Sequence, residues 1–377
     1  MIPPFTFATA GQIRFGRGAA EGGAVAAVLG FGTRVALVHG ATEARAHWLI
    51  DALRDAGAQV RTIACPGEPT LAALDAARAA LRADPPEVVV ALGGGAVIDL
   101  AKALAALVPS ARPALDHLEV VGKGLPLDQA PLPLVALPTT AGTGAEVTRN
   151  AVIGLPDQGV KVSLRDPRMY PDIALIDSSL MEEAPKTVVL AAGLDAVTQV
   201  IEPYVCARAN PMTDALARAA IPSGLRALKA VVEGGTPDDW DAMAWTSLAG
   251  GLALANAGLG AVHGLAGVIG GVTGAAHGAI CGALLVPVLE ANRAAAPGSG
   301  TRARLDWVAG EIARVFGDTD GLAQWARSHG LQPLTALGVA PDLRPEIAAK
   351  AQRASSMAAN PVQFSDAALI EIMAAAG

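Results

Sequence analysis

The chain has 377 residues, enough for two domains of ordinary size, and is 52% hydrophobic with only 3% aromatics, so alanine and branched aliphatics must fill its core. A net charge of −7 without any basic cluster argues against nucleic acid as a partner. Three widely spaced cysteines, Cys65, Cys206 and Cys281, form no CxxC pair; they suggest neither a disulfide framework nor a thiolate zinc site and read as small buried apolar residues.

The amino terminus lacks a basic region followed by an apolar run, so no signal peptide is expected. Residues 5–15, with Gly11 and Gln12, read as a β-hairpin. Strand-like runs then follow at 34–38, 59–63, 87–92, 132–137 and 173–176, with helical stretches through residue 53 and over 71–81. Such alternation implies a mostly parallel sheet with helices on both faces, an α/β domain over residues 1–178. Beyond Asp177 no period-2 strand is evident, and residues 179–377 read as an all-helical domain with Ser178 or Ser179 as the first N-cap. Between Asp241 and Glu290 there is no charged residue. A run of about 18 apolar residues raises the question of a membrane span. This one is rich in glycine and contains Asn256, His263, Thr273 and His277, so a buried helical core is expected.

Gly93, Gly94 and Gly95 directly follow the strand ending at Leu92, and residues 96–102 read as a helix start. Such a turn lets a phosphate approach bare backbone and the first N–H groups of a helix; a plain tight turn is the other reading. It is neither a G-x-G-x-x-G fingerprint nor a Walker loop. A second loop, with Thr139, Thr140, Gly142, Thr143 and Gly144, also follows a strand and offers small residues and hydroxyls. Two such loops at the carboxyl ends of parallel strands fit a dinucleotide crevice.

In the helical half, Asp195 and Gln199 lie four apart and share a helix face. His263 and His277 lie far along the chain. A histidine near a helix start feels the positive end of the dipole, which is expected to lower its pKa and keep it neutral for a metal. One aspartate and two histidines suit a catalytic divalent ion. Spacing alone equally allows two satisfied core histidines and a capping aspartate.

Together, residues 93–102 and 137–146, Gly193 to Asp195, His263-Gly264, His277-Gly278 and Asn360-Pro361 resemble, in order and spacing over nearly the whole chain, the iron-containing alcohol dehydrogenase family. The resemblance implies a Rossmann-like dinucleotide-binding domain, a helical metal-binding domain, a cleft between them, and a homo-oligomer, usually a dimer. It implies a cytoplasmic NAD- or NADP-dependent oxidoreductase acting on a small alcohol or aldehyde, with no membrane partner. The metal, Fe²⁺ or Zn²⁺, would be held by Asp195, His263 and His277. Gln199, where the family has another histidine, either completes the shell or hydrogen-bonds a bound water. Gly40, Gly93, Gly94, Gly95, Asp99, Thr139, Thr140, Thr143 and Lys161 would serve the cofactor. Asp99 is expected to orient the glycine turn or contact the nicotinamide end, and Thr143 to carry a proton.

The departures concern the same sites. Gly267 stands where the family's alcohol dehydrogenases often have a histidine near the substrate. The strand ending at Val38 is followed by His39 and Gly40, not by the acidic residue that holds the adenosine ribose in many members, so NADPH use is expected to be open. His39 reads as a cofactor-edge residue, His47 as a helix-surface residue, His117 and His329 as loop or surface residues. Other readings are a maleylacetate reductase-like enzyme using Arg149 and Arg165, a dehydroquinate-synthase-like lyase, and a non-catalytic nucleotide binder.

Overall fold

The computed structural model describes residues 4–377; residues 1–3, where the reading of the amino terminus begins, lie outside it. The chain forms two compact units. One comprises Thr9–Thr140 and Ala145–Glu183, the other Ala184–Gly377 with Ala141–Gly144 and the described residues before Thr9.

The first unit carries β1 (Gln12–Phe15), β2 (Arg34–His39), β3 (Gln59–Ala64), β4 (Val88–Gly93), β5 (Leu134–Pro138), β6 (Asn150–Leu155), β7 (Val160–Arg165) and β8 (Ile173–Ile176). Six of them form a parallel sheet in the order β1-β8-β5-β4-β2-β3. Its helices are α1 (Ala19–Leu29), α2 (His47–Asp55), α3 (Leu71–Ala83), α4 (Gly95–Leu107) and the short α5 (Ala114–His117). β4 shows why its sequence reads as an unbroken apolar run. Val88, Val90 and Leu92 pack with α1 and α2, while Val89 and Ala91 pack with α3 and α4. A strand covered on both faces has no polar side to display.

Two expectations fail here, and one element was not foreseen. The amino-terminal segment is not a hairpin: β1 pairs in parallel with β8, with Gln12 opposite Ile173. The first long helix of the second unit is capped at Pro185, not at Ser178 or Ser179, which lie in a short 3-10 turn capped by Asp177. β6 and β7 form an antiparallel hairpin that sequence reading left unassigned.

The second unit holds α6 (Lys186–Val205), α7 (Pro211–Glu233), α8 (Pro237–Asn256), α9 (Ala261–Thr273), α10 (His277–Ala294), α11 (Ser299–Phe316), α12 (Thr319–Ser328), α13 (Arg344–Ala351) and α14 (Asp366–Ala375). Capping boxes start two of them, Asn210 with Thr213 and Thr236 with Asp239. The charge-free stretch is divided among α8, α9 and α10, with a 97° bend between the first two. α6 is long and apolar enough to cross a membrane, but 83% of its apolar window is buried within the protein, as in a core helix.

Candidate metal centre and cofactor loops

Close helix crossing builds the cluster. A Cβ on Gly278 would lie 2.2 Å from the carbonyl oxygen of Ala191, and one on Gly282 would lie 2.5 Å from Leu194. Glycine at both positions therefore lets the first turns of α10 rest directly on α6. His277 and Cys281, each one residue before such a glycine, are thereby brought beside Asp195. α9 supplies His263. Nε2 of His263 lies 3.2 Å from Oδ1 of Asp195, and Nε2 of His277 lies 3.9 Å from it. Sγ of Cys281 is 3.6 Å from Nε2 of His277 and 3.9 Å from Nε2 of His263. All four ligand-type atoms lie within 4.8 Å of one another.

These spacings fit one cation. A tetrahedral ion with bonds of about 2.0–2.3 Å sets its ligand atoms about 3.3–3.8 Å apart. Of the four buried side-chain polar atoms without a hydrogen-bond partner among the described residues, two lie on α6: Oδ1 of Asp195 and, one turn along, Oε1 of Gln199. Leaving a buried acceptor unsatisfied costs about 1–3 kcal/mol, so two orphans beside two imidazoles point to a cation.

Glu202, which sequence reading missed, orients the cluster. Its Oε2 lies 2.6 Å from Nδ1 of His263, and its Oε1 accepts from the Val262 N–H at 2.7 Å. Oδ1 of Asn360 accepts from the Ala261 N–H at 3.1 Å. The buried start of α9 thus has its donors satisfied by two side chains, one of them anionic. With Nδ1 donating to Glu202, Nε2 of His263 is the nitrogen aimed at Asp195, and a metal would bind it in place of its proton. The signal was available: Glu202 is the second of two acids in an apolar helix, seven residues after Asp195.

The expected lowering of the histidine pKa values is not found. Burial opposes charge on both rings, but Cys281 and the nearby carboxylates outweigh it. His263 is held well above the usual imidazole range and His277 is raised to about 9. Burial likewise opposes charge on Asp195, yet His263, His277 and Gln199 hold its carboxyl below the usual range. Local anions exceed the helix dipole here because they lie within one side-chain contact.

The cofactor loops gather where the sheet reverses direction. From β2 the chain winds to β3 on one side and to β4 on the other, so the switch point lies between the carboxyl ends of β2 and β4. Gly40 follows β2, and Gly93, Gly94 and Gly95 lead from β4 into α4, for which Gly94 is the N-cap. A Cβ on Gly94 would meet Oγ1 of Thr140 at 3.2 Å, and the Thr139 N–H donates to the Gly93 carbonyl at 3.0 Å. The two sequence loops are therefore neighbours. Thr143 lies in the segment assigned to the helical unit, where Gly144, at φ +57°, would place a Cβ 2.5 Å from Gly251. That glycine serves packing on α8.

Asp99 does not bond the glycine turn. Its Oδ2 accepts from the Val152 N–H at 3.0 Å and its Oδ1 lies 3.2 Å from Nζ of the buried Lys102. Lys161, on β7, is ion-paired with Glu68. His39 is buried with Nδ1 against the Gly40 carbonyl, and its Nε2 lies 3.5 Å from Oε2 of Glu43. A carboxylate is thus present at the end of β2 after all, four residues later than the strand position suggested. His47 and His329 are exposed, whereas His117 is buried between Ser110 and the Leu125 carbonyl rather than on the surface. Arg165 faces Glu119. A Cβ on Gly267 would meet open space.

One unit carries a switch-point glycine turn on a parallel sheet, a nucleotide-binding arrangement, and the other, all-helical, carries an Asp–His–His–Cys cluster of metal-binding type. Residues 10–178 match the family described as iron-containing alcohol dehydrogenase, and residues 189–377 match its C-terminal domain. The chain belongs to the iron-containing alcohol dehydrogenase family. It is 38% identical over 231 residues to the probable alcohol dehydrogenase EutG of Escherichia coli K12, covering 61% of this chain and 58% of that protein. It is 33% identical over 261 residues to the lactaldehyde reductase of the same organism, covering 68% and 65%. The chain thus spans less than two thirds of these relatives' lengths. A 1,3-propanediol oxidoreductase structure superposes with a TM-score of 0.87 at 26% identity, covering all of both chains. A sulfoacetaldehyde reductase from Bifidobacterium kashiwanohense in complex with NAD+ superposes with a TM-score of 0.83 at 26% identity, covering 99% and 98%.

Proposed function

We propose that this protein is a metal-dependent, nicotinamide-linked oxidoreductase that moves a hydride between NAD(P) and a small alcohol or aldehyde. The observation that carries the reading is the convergence of Asp195, His263 and His277 on one point, with Oδ1 of Asp195 and Oε1 of Gln199 unpartnered. A divalent ion held there, Fe²⁺ or Zn²⁺, supplies Lewis-acid stabilisation to a substrate oxygen.

The protein's own residues do the rest. Asp195 contributes the negative charge, Glu202 fixes the tautomer of His263, and the Gln199 amide adds a neutral oxygen. Gly93, Gly94, Gly95 and the first N–H groups of α4 receive the cofactor phosphates, with Gly40 leaving open space at the end of β2. Thr139 and Thr140 position the second loop, and Lys161 takes the cofactor side of the β6–β7 hairpin. With Gly267 in place of an imidazole, Thr143 is the hydroxyl proposed to pass the substrate proton. Asp99 acts at one remove, holding β6 and Lys102. The domain boundary proposed for these roles is 1–178 and 179–377. The family resemblance supports a cytoplasmic homodimer with a small-molecule substrate. A maleylacetate-type reading loses support because Arg165 is engaged by Glu119.

Glu43 bears on cofactor choice. A carboxylate near the adenosine ribose repels a 2′-phosphate. Elemental analysis of the purified protein, combined with an aldehyde and alcohol screen using NADH and NADPH, tests the reading. Stoichiometric metal, net nicotinamide oxidation and a preference for NADH are expected, with Glu43→Gln narrowing that preference. His277→Ala should lose metal and turnover together. Turnover persisting without metal would overturn the Lewis-acid role, and an unchanged cofactor pool during substrate conversion would indicate a lyase.

A further inference from the structure

The sequence suggests three cysteines of one kind, and the structure separates them. Cys65 and Cys206 are buried thiols whose pKa is raised to about 11, chiefly by burial. Cys281 is also fully buried, but its sulfur faces two imidazole nitrogens. It sits one turn after His277 on α10, as Gln199 sits one turn after Asp195 on α6. Gly282, its neighbour, is what lets that turn lie against Leu194.

We propose that Cys281 is a fourth metal ligand, whose sulfur joins Asp195, His263 and His277 to form an Asp–His–His–Cys centre that favours a thiophilic ion. The inference rests on the metal site proposed above and adds a ligand to it. Three observations support it. Sγ lies 3.6 Å from Nε2 of His277, within the tetrahedral-edge range, and 3.9 Å from Nε2 of His263, just beyond it. Oδ1 of Asp195, 98% buried by residue, is unpartnered and belongs to the same group. Finally, with Glu202 engaged by Val262 and His263, the oxygen donor left beside Asp195 on α6 is the neutral amide of Gln199, a weak ligand, so a stronger fourth donor has a position to fill.

On binding, the Cys281 S–H bond breaks, its proton passes to solvent, and a sulfur–metal bond forms; no electron changes hands. Thiolate sulfur shifts selectivity toward Zn²⁺ and Co²⁺ and away from Mn²⁺, which prefers oxygen ligands.

The test uses the full chain stripped of metal and reloaded with Co²⁺ or Zn²⁺. The cobalt-loaded wild type should show near-ultraviolet sulfur-to-cobalt charge-transfer absorption, lost in Cys281→Ser. Zinc affinity should fall in Cys281→Ala by no less than the roughly 10–100-fold that removal of an outer-shell partner costs. The charge-transfer band is read in the wild type itself, which keeps the test independent of whether the variants fold. One cobalt ion bound by the wild type with no sulfur-to-cobalt band would overturn the fourth ligand while leaving the three-ligand centre intact. No ion bound by the wild type at all would overturn both.

Discussion

Replacing Glu202 with glutamine tests the logic of the site most directly, because it preserves shape and removes only acceptor capacity. Oε2 of Glu202 takes the Nδ1 side of His263 at 2.6 Å and Oε1 takes the Val262 N–H at 2.7 Å. An amide cannot accept at both ends. If its oxygen stays on Val262, the NH2 group faces Nδ1, and His263 must move its proton to Nε2, where it occupies the position a metal would use. If its oxygen turns to His263, two donors face each other at the buried start of α9. The first outcome predicts metal affinity lowered by about 10–100-fold, or about 1.4–2.7 kcal/mol. The second predicts a loss of fold stability of about 1–3 kcal/mol. Competition against a chromophoric chelator measures the first, and thermal unfolding of the metal-free protein measures the second. A variant with both quantities at wild-type values would refute the assignment of Glu202 as the residue that aims His263.

Two further perturbations follow from the geometry. Gly278→Ala puts a methyl group 2.2 Å from the Ala191 carbonyl oxygen, so α10 must lift from α6; a stability loss of at least about 1–3 kcal/mol and weakened metal retention are expected by calorimetry and elemental analysis. Glu146 is buried and its carboxyl is raised to about 7, mainly by burial against the opposing pull of its own backbone N–H and Lys102. A raised acid favours the protonated folded state, so stability is full below the unfolded value near 4.5 and declines as pH rises through 7. At one pKa unit per about 1.4 kcal/mol, the loss approaches about 3 kcal/mol by pH 8. Glu146→Gln should flatten that decline in thermal melts taken from pH 5 to 8, and an unaltered slope would contradict the burial argument.

The central strands were legible because complete burial leaves a continuous apolar run, as in Val88–Gly93 and Leu134–Pro138. β1 was not, because its partner lies about 160 residues away and half of it is exposed; nothing local to residues 12–15 announces a parallel edge. The β6–β7 hairpin did carry a period-2 signal, Val160, Val162 and Leu164 alternating with Lys161, Ser163 and Arg165, which attention to Lys161 alone obscured. At the site, Asp195, His263 and His277 were legible by residue type, and they do converge. Cys281 was discounted because no second cysteine lies near it, although it sits at the same four-residue spacing from His277 as Gln199 does from Asp195. Glu43 was missed because an acid was sought at the strand end itself, whereas a short 3-10 turn four residues on carries its carboxylate back beside His39.

The proposed ligand set also alters the charge of the centre. A divalent ion with one carboxylate and three imidazoles carries a net positive charge. With Asp195 and a Cys281 thiolate it is neutral, and the Gln199 amide does not change the sum. A neutral centre draws less electron density from a substrate oxygen than a positive one, because Lewis acidity follows the charge the ligands leave uncancelled. It also imposes a smaller desolvation penalty in a buried position, because no net charge is taken out of water. The exchange of an imidazole for a thiolate within this cluster therefore favours retention of the ion over electrophilic pull. Substrates with easily polarised carbonyls, such as aldehydes, should accordingly turn over faster than ketones of equal size. Equal rates on a matched aldehyde and ketone pair would show that the ion's charge does not limit the reaction.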